Sequence, residues 1–442
     1  MPSLPAGWRV TTHTAIAEIG AAAWTACLAP SKAAAASAGY AVRPESECQP
    51  PAAPPQATDS PPQAPDSSAE GVESPSPEVD SEPQEDPDNP FVSFAFLAAL
   101  EASGCVGGRT GWHPCHQALR DAEDRVLAVA PAYVKSHSQG EYVFDHGWAE
   151  AYERAGGRYY PKIQVAVPFT PVTGPRLIVA PDVDRAAATA ALAGGLEALR
   201  TRLDASSIHA TFLHGRDAAA LDAAGYLLRL DRQFHWLNEG YRRFEDFLAA
   251  LSSRKRKMIR RERKDALADG LTIRWRTGRE ITEAHWDAFF AFYQETGSRK
   301  WGRPYLTRAF FSLLGETMAD RIVLIFAERA GKPVAGAINF VGARTLYGRN
   351  WGATEEHPFL HFEVCYYQAM EFAIARGLAV VEAGAQGEHK LMRGYRPVLT
   401  RSAHSIAHAG LRRAVTQFLQ QERNHVATEK IELDSWVPFR KA

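Results

Sequence analysis

Cysteine is scarce in this 442-residue chain, and its spacing argues against metal binding. The cysteines are odd in number, and no two of them form a C-x-x-C pair. Disulfide frameworks and zinc ribbons need paired cysteines at characteristic spacings, so neither class is supported. A reducing, cytoplasmic location fits this pattern. The five residues are Cys27, Cys48, Cys105, Cys115 and Cys365.

Long hydrophobic runs are also lacking. A membrane-spanning helix needs roughly 18 or more apolar residues in succession, and no stretch of this sequence provides them. The Ala-rich run from Ala15 to Ala29 is interrupted by Glu18 and has no basic leader, unlike a signal peptide. We therefore expect no transmembrane span.

Net charge is almost absent, at −1, but the charges are unevenly distributed. Residues 31–90 hold 12 acidic and 2 basic residues together with 13 of the 28 prolines. Such a composition cannot bury enough apolar surface to offset its ordering entropy, which predicts a disordered insertion at 31–88. The amphipathic segments on both sides then form a first domain, 1–30 plus 89–236, followed by a second domain, 237–442.

Two stretches of the sequence predict the same order of elements: strand, turn, strand, strand, helix. The first is HQALRDAEDRVLAVAPAYVKS, a hairpin with its turn at 121–124, followed by a strand EYVFD and a helix AEAYERAG. The second is RIVLIFAERAGKPVAGAINFVG, a hairpin around Gly331 and Lys332, followed by a strand TLYGRNWG and a helix from His361 to Arg376. The period-two alternation of apolar residues supports the strands.

The chain resembles the FemAB-like predicted N-acyltransferases, whose better-known relatives are the Fem aminoacyl ligases of peptidoglycan precursors. The resemblance spans nearly everything except the insertion. It implies an α+β fold with two tandem acetyltransferase (GNAT)-like domains, in which mixed, mostly antiparallel sheets are flanked by helices. It also implies acyl or aminoacyl transfer. The blocks that carry it are RTGWHPCHQAL, GRYYPKIQVAVPFTPVTGPRL, LSSRKRKMIRRER, HWDAFFAFYQETGSRKWGRPYLT, LYGRNWG, HFEVCYYQAMEFAIARGL and EAGAQGEHKLMRGY.

The block EAGAQGEHKLMRGY predicts a buried strand that ends in a glycine-rich turn with several polar side chains. Amide formation needs a base for the amine proton and donors for the developing oxyanion. Glu382 or His389 is the candidate base, and Lys390 is the candidate oxyanion or phosphate ligand. In related ligases a lysine after a comparable turn is functional, and Lys390 occupies a similar place. The alternative is a solvated surface turn.

The block LYGRNWG places Tyr347, Arg349 and Trp351 at alternate positions of a strand. A guanidinium binds a phosphate or carboxylate through two parallel hydrogen bonds, so Arg349 is a candidate ligand-binding residue with the two aromatic rings as walls. The alternative is that both rings belong to the core and Arg349 pairs with a nearby acid.

Two further segments are candidate substrate-binding surfaces. One combines basic and aromatic groups in a loop-like stretch, which suits a phosphorylated or sugar-bearing ligand. The other surrounds a proline-rich crossing in the first half, where Pro168 and Pro171 exclude an ordinary central strand. Ordinary packing is the alternative for both. The residues are Arg299, Lys300, Trp301 and Arg303 in the first segment, and Tyr159, Tyr160 and Lys162 in the second.

A basic helix is predicted over 252–268, with eight Lys/Arg and one acid between Arg254 and Lys264. Closely spaced cations repel one another and favour an anionic partner. The candidates are tRNA or precursor phosphates, or lipid headgroups in a peripheral membrane contact; a solvated face is the alternative. We expect no DNA binding. The candidate contact residues are Arg254, Lys255, Arg256, Lys257, Arg260 and Arg261.

No bound cofactor and no metal are expected. Pro358 disrupts the helical spacing of His357, His361 and Glu363, so packing explains them better than metal ligation. The Gln/Arg-x-x-Gly-x-Gly/Ala loop that cradles the CoA pyrophosphate is represented only by near matches such as RNWGAT and RKWGRP. This weakens acyl-CoA as the donor and favours aminoacyl-tRNA, and both stay open.

The sequence therefore predicts an N-acyl- or aminoacyltransferase that forms an amide on an amine acceptor, either a muropeptide precursor or another small molecule. Two alternatives stay open. One is a non-catalytic RNA- or ligand-binding protein on a degenerate GNAT scaffold, which the missing CoA loop and the basic run favour. The other is an acyl-CoA N-acyltransferase that acts on a small metabolite.

Overall fold

The hairpins predicted in both halves are present in the structure, a computed structural model. The first turns at 121–124 and the second at Ala330 and Gly331, which both have positive φ, the geometry of a tight hairpin turn. The predicted disordered insertion lies outside the described residues apart from 86–88. The structure describes 5–29, 86–300, 304–384 and 387–440, with only the backbone at 298–300 and 388.

Among its described residues, the first half has nine strands and five α-helices. The helices are α1 (Ala21–Leu28), α2 (Phe94–Ala102), α3 (His146–Arg154), α4 (Arg185–Arg202) and α5 (Gly215–Ala223). The strands are β1 (Arg9–His13), β2 (Trp112–Pro114), β3 (His116–Arg120), β4 (Val126–Ala130), β5 (Ala132–Lys135), β6 (Lys162–Val165), β7 (Ile178–Val179), β8 (Ser207–Leu213) and β9 (Leu227–Leu237).

The second half repeats the plan. Its helices are α6 (Phe244–Ala250), α7 (Ser253–Ala266), α8 (Glu283–Lys300), α9 (Arg308–Met318), α10 and α11 (Ala409–Asp434). Helix α10 has three parts, Leu360–Phe362, a π-helical turn Glu363–Tyr367, and Gln368–Ala375. The strands are β10 (Leu271–Thr277), β11 (Ile322–Arg329), β12 (Lys332–Val341), β13 (Thr345–Ala353), β14 (Val380–Glu382) and β15 (Arg396–Ile406).

The strands form two sheets. The smaller has the order β1-β3-β4-β7, and the larger has the order β10-β11-β12-β13-β14-β9-β15-β8-β6-β5-β2. Within the larger sheet, only the pairs β6·β8 and β13·β14 are parallel, and each is connected through a helix, α4 or α10. This confirms the predicted α+β fold of two tandem GNAT-like halves with mostly antiparallel sheets.

The two halves exchange their last strands. Strand β9 follows the parallel unit of the first half but pairs with β14 of the second. Strand β15 follows the parallel unit of the second half but pairs with β8 of the first. Because β9 and β15 also pair with each other, one continuous sheet joins the halves.

The described residues resume at Asp86, so they include the last three positions of the predicted insertion, 86–88. The Asp86 carboxylate accepts hydrogen bonds from the backbone N–H groups of Ala343, Arg344 and Thr345, in the turn before β13. Asp88 forms an ion pair with Arg321. The first-half segment that leads into α2 is therefore bound to the second half.

One predicted strand, EYVFD, is wrong. Residues 141–145 form a loop in which Tyr142 has a positive φ of 61°. Glu141 and Asp145 are buried there and bind Lys162 of β6. Bringing two buried carboxylates to Lys162 and Lys135 requires a loop that turns inward, which outweighs the strand preference of the apolar residues.

Candidate active site

A transverse row of side chains crosses the larger sheet where the halves meet. The backbone partners are Phe340 with Tyr347, Tyr347 with Glu382, and Glu382 with His235. Directly opposed residues of neighbouring strands point to the same face, so these four side chains lie side by side. His235 belongs to β9, and the first half therefore supplies one member of the row.

The sheet opens beside this row. Strands β13 and β14 pair only from Thr345 to Tyr347, although β13 continues to Ala353. In addition, Asn339 and Ala337, two positions apart in β12, pair with Gly348 and Trp351, three positions apart in β13. The extra residue of β13 forms a bulge between Gly348 and Trp351. Bulges of this kind re-aim side chains and are frequent next to active sites. A gap in the sheet therefore begins at Glu382.

The bulge changes the predicted wall of aromatic residues. Tyr347 packs edge-to-face with Phe91, whereas Trp351 packs against His361 in the core on the other side of the sheet. One extra residue in a strand reverses the facing of all the side chains after it. The expected alternation of Tyr347, Arg349 and Trp351 on one face is therefore interrupted before Trp351.

Arg349 and Glu382 form a buried ion pair at the gap. Arg349 Nη2 donates to Glu382 Oε1 at 2.7 Å, and the two side chains are 5% and 3% exposed. Arg349 Nη1 donates to the Gly348 carbonyl, whereas Nε is buried without a hydrogen-bond partner among the described residues. Arg349 thus fixes one oxygen of the carboxylate, which realises the alternative in which it pairs with an acid.

The second oxygen of Glu382 is less constrained. Oε2 lies 3.9 Å from His235 Nε2, beyond hydrogen-bond distance. Within the described part of the chain, no group donates a hydrogen bond to Oε2. A carboxyl group with one oxygen bound and the other without a hydrogen bond has the geometry of a general base.

Lys390 lies beneath the glycine-rich turn. Its Nζ donates to the carbonyl oxygens of Ala383 at 2.7 Å and Gly384 at 3.0 Å, directly after Glu382. Burial and the nearby Arg349 cation lower the pKa of Lys390 to about 8. The observed contacts stabilise the turn that presents Glu382, and a direct catalytic role for Lys390 stays a prediction.

His389 lies on the surface, next to the π-helical turn. Its Nε2 is 2.9 Å from the Tyr366 hydroxyl, and its ring packs against Phe362. Cation–π packing places the Arg393 guanidinium 3.4 Å from the Phe362 ring centroid. The structure thus places His389 in an aromatic and basic surface, and its role as a base stays a prediction.

An apolar cleft adjoins the Arg349 end of the row. Its polar part consists of Arg349, Asn350 and Thr170, and the Thr170 hydroxyl is buried without a hydrogen-bond partner among the described residues. Both halves contribute the apolar lining, because α2 and the segment after β6 lie opposite α9 and β12. The phenylalanines of this lining are Phe91, Phe96, Phe169, Phe310, Phe311 and Phe340.

The three first-half candidates Tyr159, Tyr160 and Lys162 are brought together, but away from this cleft. Lys162 Nζ donates to Glu141 Oε2 at 2.7 Å and also binds Asp145. Tyr159 donates to Asp145 at 2.7 Å, and the Tyr160 ring lies 6.0 Å from Lys162 Nζ. Although burial opposes it, the Lys162 cation lowers the pKa of Asp145. These residues form a closed ion network.

The network extends to the seam between the halves, which is the pairing of β8 of the first half with β15 of the second. Tyr159 also approaches His209 Nε2 of β8 at 3.3 Å. His209 Nδ1 in turn lies 2.7 Å from His404 Nδ1 of β15, so one ring must donate its proton to the other. Burial lowers the pKa of His209 to about 3, and it also depresses the pKa of His404. Both rings are therefore neutral at pH 7.

The predicted basic helix is α7, and part of its charge is used internally. Arg260 pairs with Glu245 at 2.7 Å and Arg261 with Asp265 at 3.3 Å, both on the exposed surface. Arg263 binds two carboxylates of α10, one of them Glu363, the residue considered above as a metal ligand. The cations of α7 for which the structure describes no carboxylate partner include Arg254, Lys255, Arg256 and Lys257.

The basic and aromatic loop cannot be placed. Trp301 and Arg303 lie outside the described residues, and the side chains of Arg299 and Lys300 are not described either. Their predicted role in substrate binding stays a prediction.

Sequence reasoning missed His235 and Gln233. They occupy alternate positions of β9, where the alternation of Gln233, His235 and Leu237 with Phe234 and Trp236 carried a signal. Two polar residues on one face of an otherwise buried strand indicate a polar environment. Their proximity to Glu382 depends on the strand exchange, which local sequence does not reveal.

Several known protein structures are similar to this chain. The chain is similar to the crystal structure of FemX (12% identity, 75% of this chain and 96% of that chain, TM-score 0.47). It is also similar to a tandem GNAT protein from the clavulanic acid pathway (11%, 91% and 99%, 0.43). A third similar structure is the C-terminal domain of a putative lysylphosphatidylglycerol synthetase from Agrobacterium fabrum (10%, 76% and 92%, 0.44). No curated protein sequence matches.

A family model described as peptidoglycan biosynthesis/recognition matches residues 77–441. Among the described helices, none is long and apolar enough to cross a membrane. The family supports an acyl- or aminoacyltransferase class. The chain belongs to the FemAB-like family.

Proposed function

We propose that this chain transfers an acyl or aminoacyl group to an amine of a peptidoglycan precursor at the Glu382 gap. The observation that carries the proposal is the buried carboxylate whose Oε1 is bound by Arg349 and whose Oε2 accepts no hydrogen bond from the described residues. The phenylalanine-lined cleft beside Arg349 gives this end of the row apolar surroundings, which strengthens electrostatic effects at its edge.

In the proposed reaction, the acceptor amine attacks the carbonyl carbon of the activated donor, and its proton passes to Glu382 Oε2. The carbon–nitrogen bond forms and the carbon–oxygen or carbon–sulfur bond of the donor breaks. Glu382 then returns the proton to the leaving oxygen or sulfur. Arg349 Nε, which has no partner among the described residues, is the donor available to the transient oxyanion.

Acidic groups near the N-termini of α4 and α10, the helices that connect the parallel strands, favour a donor other than CoA. A pyrophosphate binds at a helix N-terminus through free backbone N–H groups. At α4 the Asp184 side chain already accepts the N–H of Ala187, at 3.0 Å. At α10 two glutamates, Glu355 and Glu356, precede the first turn. The Asp184 carboxylate already occupies the anion position at α4, whereas Glu355 near α10 pairs with Arg329 at 2.8 Å. We therefore propose an aminoacyl ester such as aminoacyl-tRNA as the donor, with α7 contacting its phosphates.

The test is transfer of a labelled group by the purified protein. Labelled aminoacyl-tRNA and acyl-CoA pools are each supplied with a UDP-linked muropeptide, and amide products are separated and counted. We expect label on the precursor from aminoacyl-tRNA and none with Glu382→Gln. Transfer from acyl-CoA alone overturns the donor assignment. Tight tRNA binding without any transfer favours the non-catalytic RNA-binding function.

A further inference from the structure

Residues 86–92 lead from the predicted insertion into α2, and their first residue is bound to the second half. The Asp86 carboxylate accepts the backbone N–H groups of residues 343–345 at 3.0, 3.1 and 2.9 Å. Within the same turn, the carbonyl oxygen of Arg344 accepts the N–H groups of Ala379 and Val380 at 2.8 and 3.2 Å. Asp86 therefore binds the turn at which β13 and β14 start side by side.

The contact of Asp86 with this turn is close. A Cβ added to Gly342 would collide with the Asp86 carboxylate. Asp86 is 8% exposed, and its Oδ1 also accepts the N–H of Asp88 at 3.0 Å. Hydrogen bonds from N–H groups to a carboxylate are roughly twice as strong as bonds between neutral groups. The start of the 86–92 segment is thus firmly attached to the second half.

The other end of the segment is bound to the first half. Asn89 Nδ2 donates to the carbonyl oxygen of Thr173 at 3.0 Å, and Asn89 Oδ1 accepts the N–H of Phe91 at 3.0 Å. The Asn89 side chain is buried, and it caps the short 3-10 turn Pro90–Val92. The backbone of Phe91 is therefore held between the two halves.

Phe91 packs directly on the proposed site. The guanidinium carbon of Arg349 lies 4.7 Å from the centroid of the Phe91 ring and 5.5 Å from that of Tyr347. The Phe91 side chain is 1% exposed, and a cation–π contact is strongest when it is shielded from water. The guanidinium is thus held by two rings, while its Nη atoms bind the Gly348 carbonyl and Glu382.

We propose that Phe91 is a positioning residue for Arg349, and that Asp86 holds Phe91 in place. The ring keeps the guanidinium in the orientation in which Nη2 binds Glu382 and Nε is available to the oxyanion. The effect on catalysis rests on the proposed function, since it requires Arg349 and Glu382 to act in the transfer. Residues at the end of the predicted insertion then determine the geometry of a site whose charged groups belong to the second half.

A double-mutant cycle in the full-length protein tests the contact without any substrate. Phe91→Leu removes the ring but keeps an apolar side chain, and Arg349→Gln removes the cation but keeps a donor for Glu382. Residues in contact have coupled effects on stability. In urea unfolding, Phe91→Leu should therefore cost less stability in the Arg349→Gln protein than in the wild-type protein. Equal losses in both proteins overturn the inference.

Phe289→Leu is the matched control for the loss of an aromatic ring. Phe289 is fully buried in the same core cluster as Phe91, where it packs edge-to-face on Phe311 with centroids 5.3 Å apart. It should destabilise the wild-type and Arg349→Gln proteins equally. A cycle with Phe289 that resembles the cycle with Phe91 would contradict a specific contact with the guanidinium.

Turnover in the transfer assay tests the consequence for catalysis. Phe91→Leu should lower kcat about tenfold with KM unchanged, because a shielded cation–π contact is lost. In the Arg349→Gln protein, it should cause no further loss, which a purely structural role of the ring would not produce. Wild-type kcat in Phe91→Leu, or a full tenfold loss in both proteins, overturns the positioning role.

Asp86→Asn tests the attachment of the segment. The substitution replaces one accepting oxygen by an NH2 group that cannot accept, so kcat should fall in the same direction as in Phe91→Leu. Asp88→Asn is the control within the same segment, because Asp88 pairs with Arg321 on the exposed surface and should leave kcat unchanged. Wild-type kcat in Asp86→Asn would show that this attachment does not position Phe91.

Failure of the proposed function gives a different result. Full activity in Glu382→Gln removes the proposed base, whereas the unfolding cycle still shows coupling between Phe91 and Arg349. Loss of activity in Glu382→Gln together with an additive unfolding cycle retains the base and removes the positioning role of Phe91.

Discussion

The two parallel β-helix-β units of this chain have the same topology but opposite chemistry. In the first half, the polar contact between the parallel strands is neutral: Gln164 donates to the Thr211 hydroxyl at 3.0 Å, and both residues are buried. In the second half, the corresponding region carries the Arg349–Glu382 ion pair, a bulge in β13 and a π-helical turn in α10. Only the second unit leaves a charged group facing a gap.

The first half does contain charges, but it binds them to one another. Lys162, Glu141 and Asp145 form ion pairs beneath a loop, where all three side chains are buried. A closed network of this kind stabilises a loop and offers nothing to a ligand. The comparison indicates that the first unit binds its charges to one another, whereas the second unit holds the residues of the proposed site.

The largest expected effect is on stability in the first half. Lys162→Met leaves the buried Asp145 without its lysine and Glu141 with only Lys135, which should lower the free energy of unfolding by about 3–5 kcal/mol. Urea unfolding of the purified variant measures this. The exposed pair Arg125–Asp182 is the control, since Arg125→Met should cost less than about 1 kcal/mol. Equal effects of the two substitutions would contradict the buried network.

Arg349→Lys tests the difference between the two halves through its effect on activity. Lysine keeps the charge but lacks the planar fork that binds Glu382 and the Gly348 carbonyl together. Loss of one hydrogen bond to a charged group, worth about 1.5–3 kcal/mol, should lower kcat by about 10- to 100-fold. Turnover is measured with the donor identified in the transfer assay. Thr211→Val, the counterpart in the first half, should leave kcat unchanged; a similar loss there would remove the distinction between the halves.

The histidine pair at the seam should make stability depend on pH. The folded-state pKa of His209 is about 3 against 6.5 for a free histidine, and that of His404 is also depressed. The unfolded chain therefore binds more protons below pH 6.5, so stability falls as the pH drops from 6.5 towards 3. His209 contributes roughly 1.4 kcal/mol per pH unit in that window, and His404 adds to the slope in the same direction.

Urea unfolding at pH 7.5, 6.5, 5.5 and 4.5 measures this slope. His404→Gln removes one of the two titrating rings and should make the slope shallower. His113→Gln, on an exposed side chain of β2, should leave it unchanged. If the slope of stability against pH is unchanged in His404→Gln, the His404 ring does not contribute to the pH dependence of stability.

The smallest expected effect concerns the turn after β14. Lys390→Ala removes the ammonium that binds the carbonyls of Ala383 and Gly384. The turn that follows Glu382 then holds the Glu382 side chain less firmly in position. We expect turnover to fall about tenfold while the protein stays folded. Turnover and circular dichroism of the same sample provide the measurement. Normal turnover would show that Lys390 has no part in the site.

The local sequence was sufficient to predict those helices and strands whose apolar residues recur at a regular spacing. The hairpin of β11 and β12 and the helix α10 were predicted because apolar residues recur at strand or helix spacing. The basic helix α7 was predicted from its charge, and the structure places it at Ser253–Ala266. These features depend on neighbours in sequence, which a single sequence displays directly.

Other features depend on partners distant in sequence. The burial of Glu141 and Asp145 requires Lys162, and the tautomer of His235 requires Gln233 and Pro171. Glu382 was identified from its place at a strand end, but its partner Arg349 was left as one of two alternatives. The bulge that separates Trp351 from Tyr347 cannot be recognised from the alternation of residues in the sequence. Strand exchange, finally, is a property of the whole topology.

The exchanged strands also have a consequence for synthesis of the chain. Strand β8 is made early, but one of its neighbours in the sheet is β15, the last strand of the described sheet to leave the ribosome. The first half therefore waits with an open edge until almost 200 further residues have been added, about 10–40 seconds at typical elongation rates. Closure of the seam between β8 and β15 is then a late event that completes both halves at once.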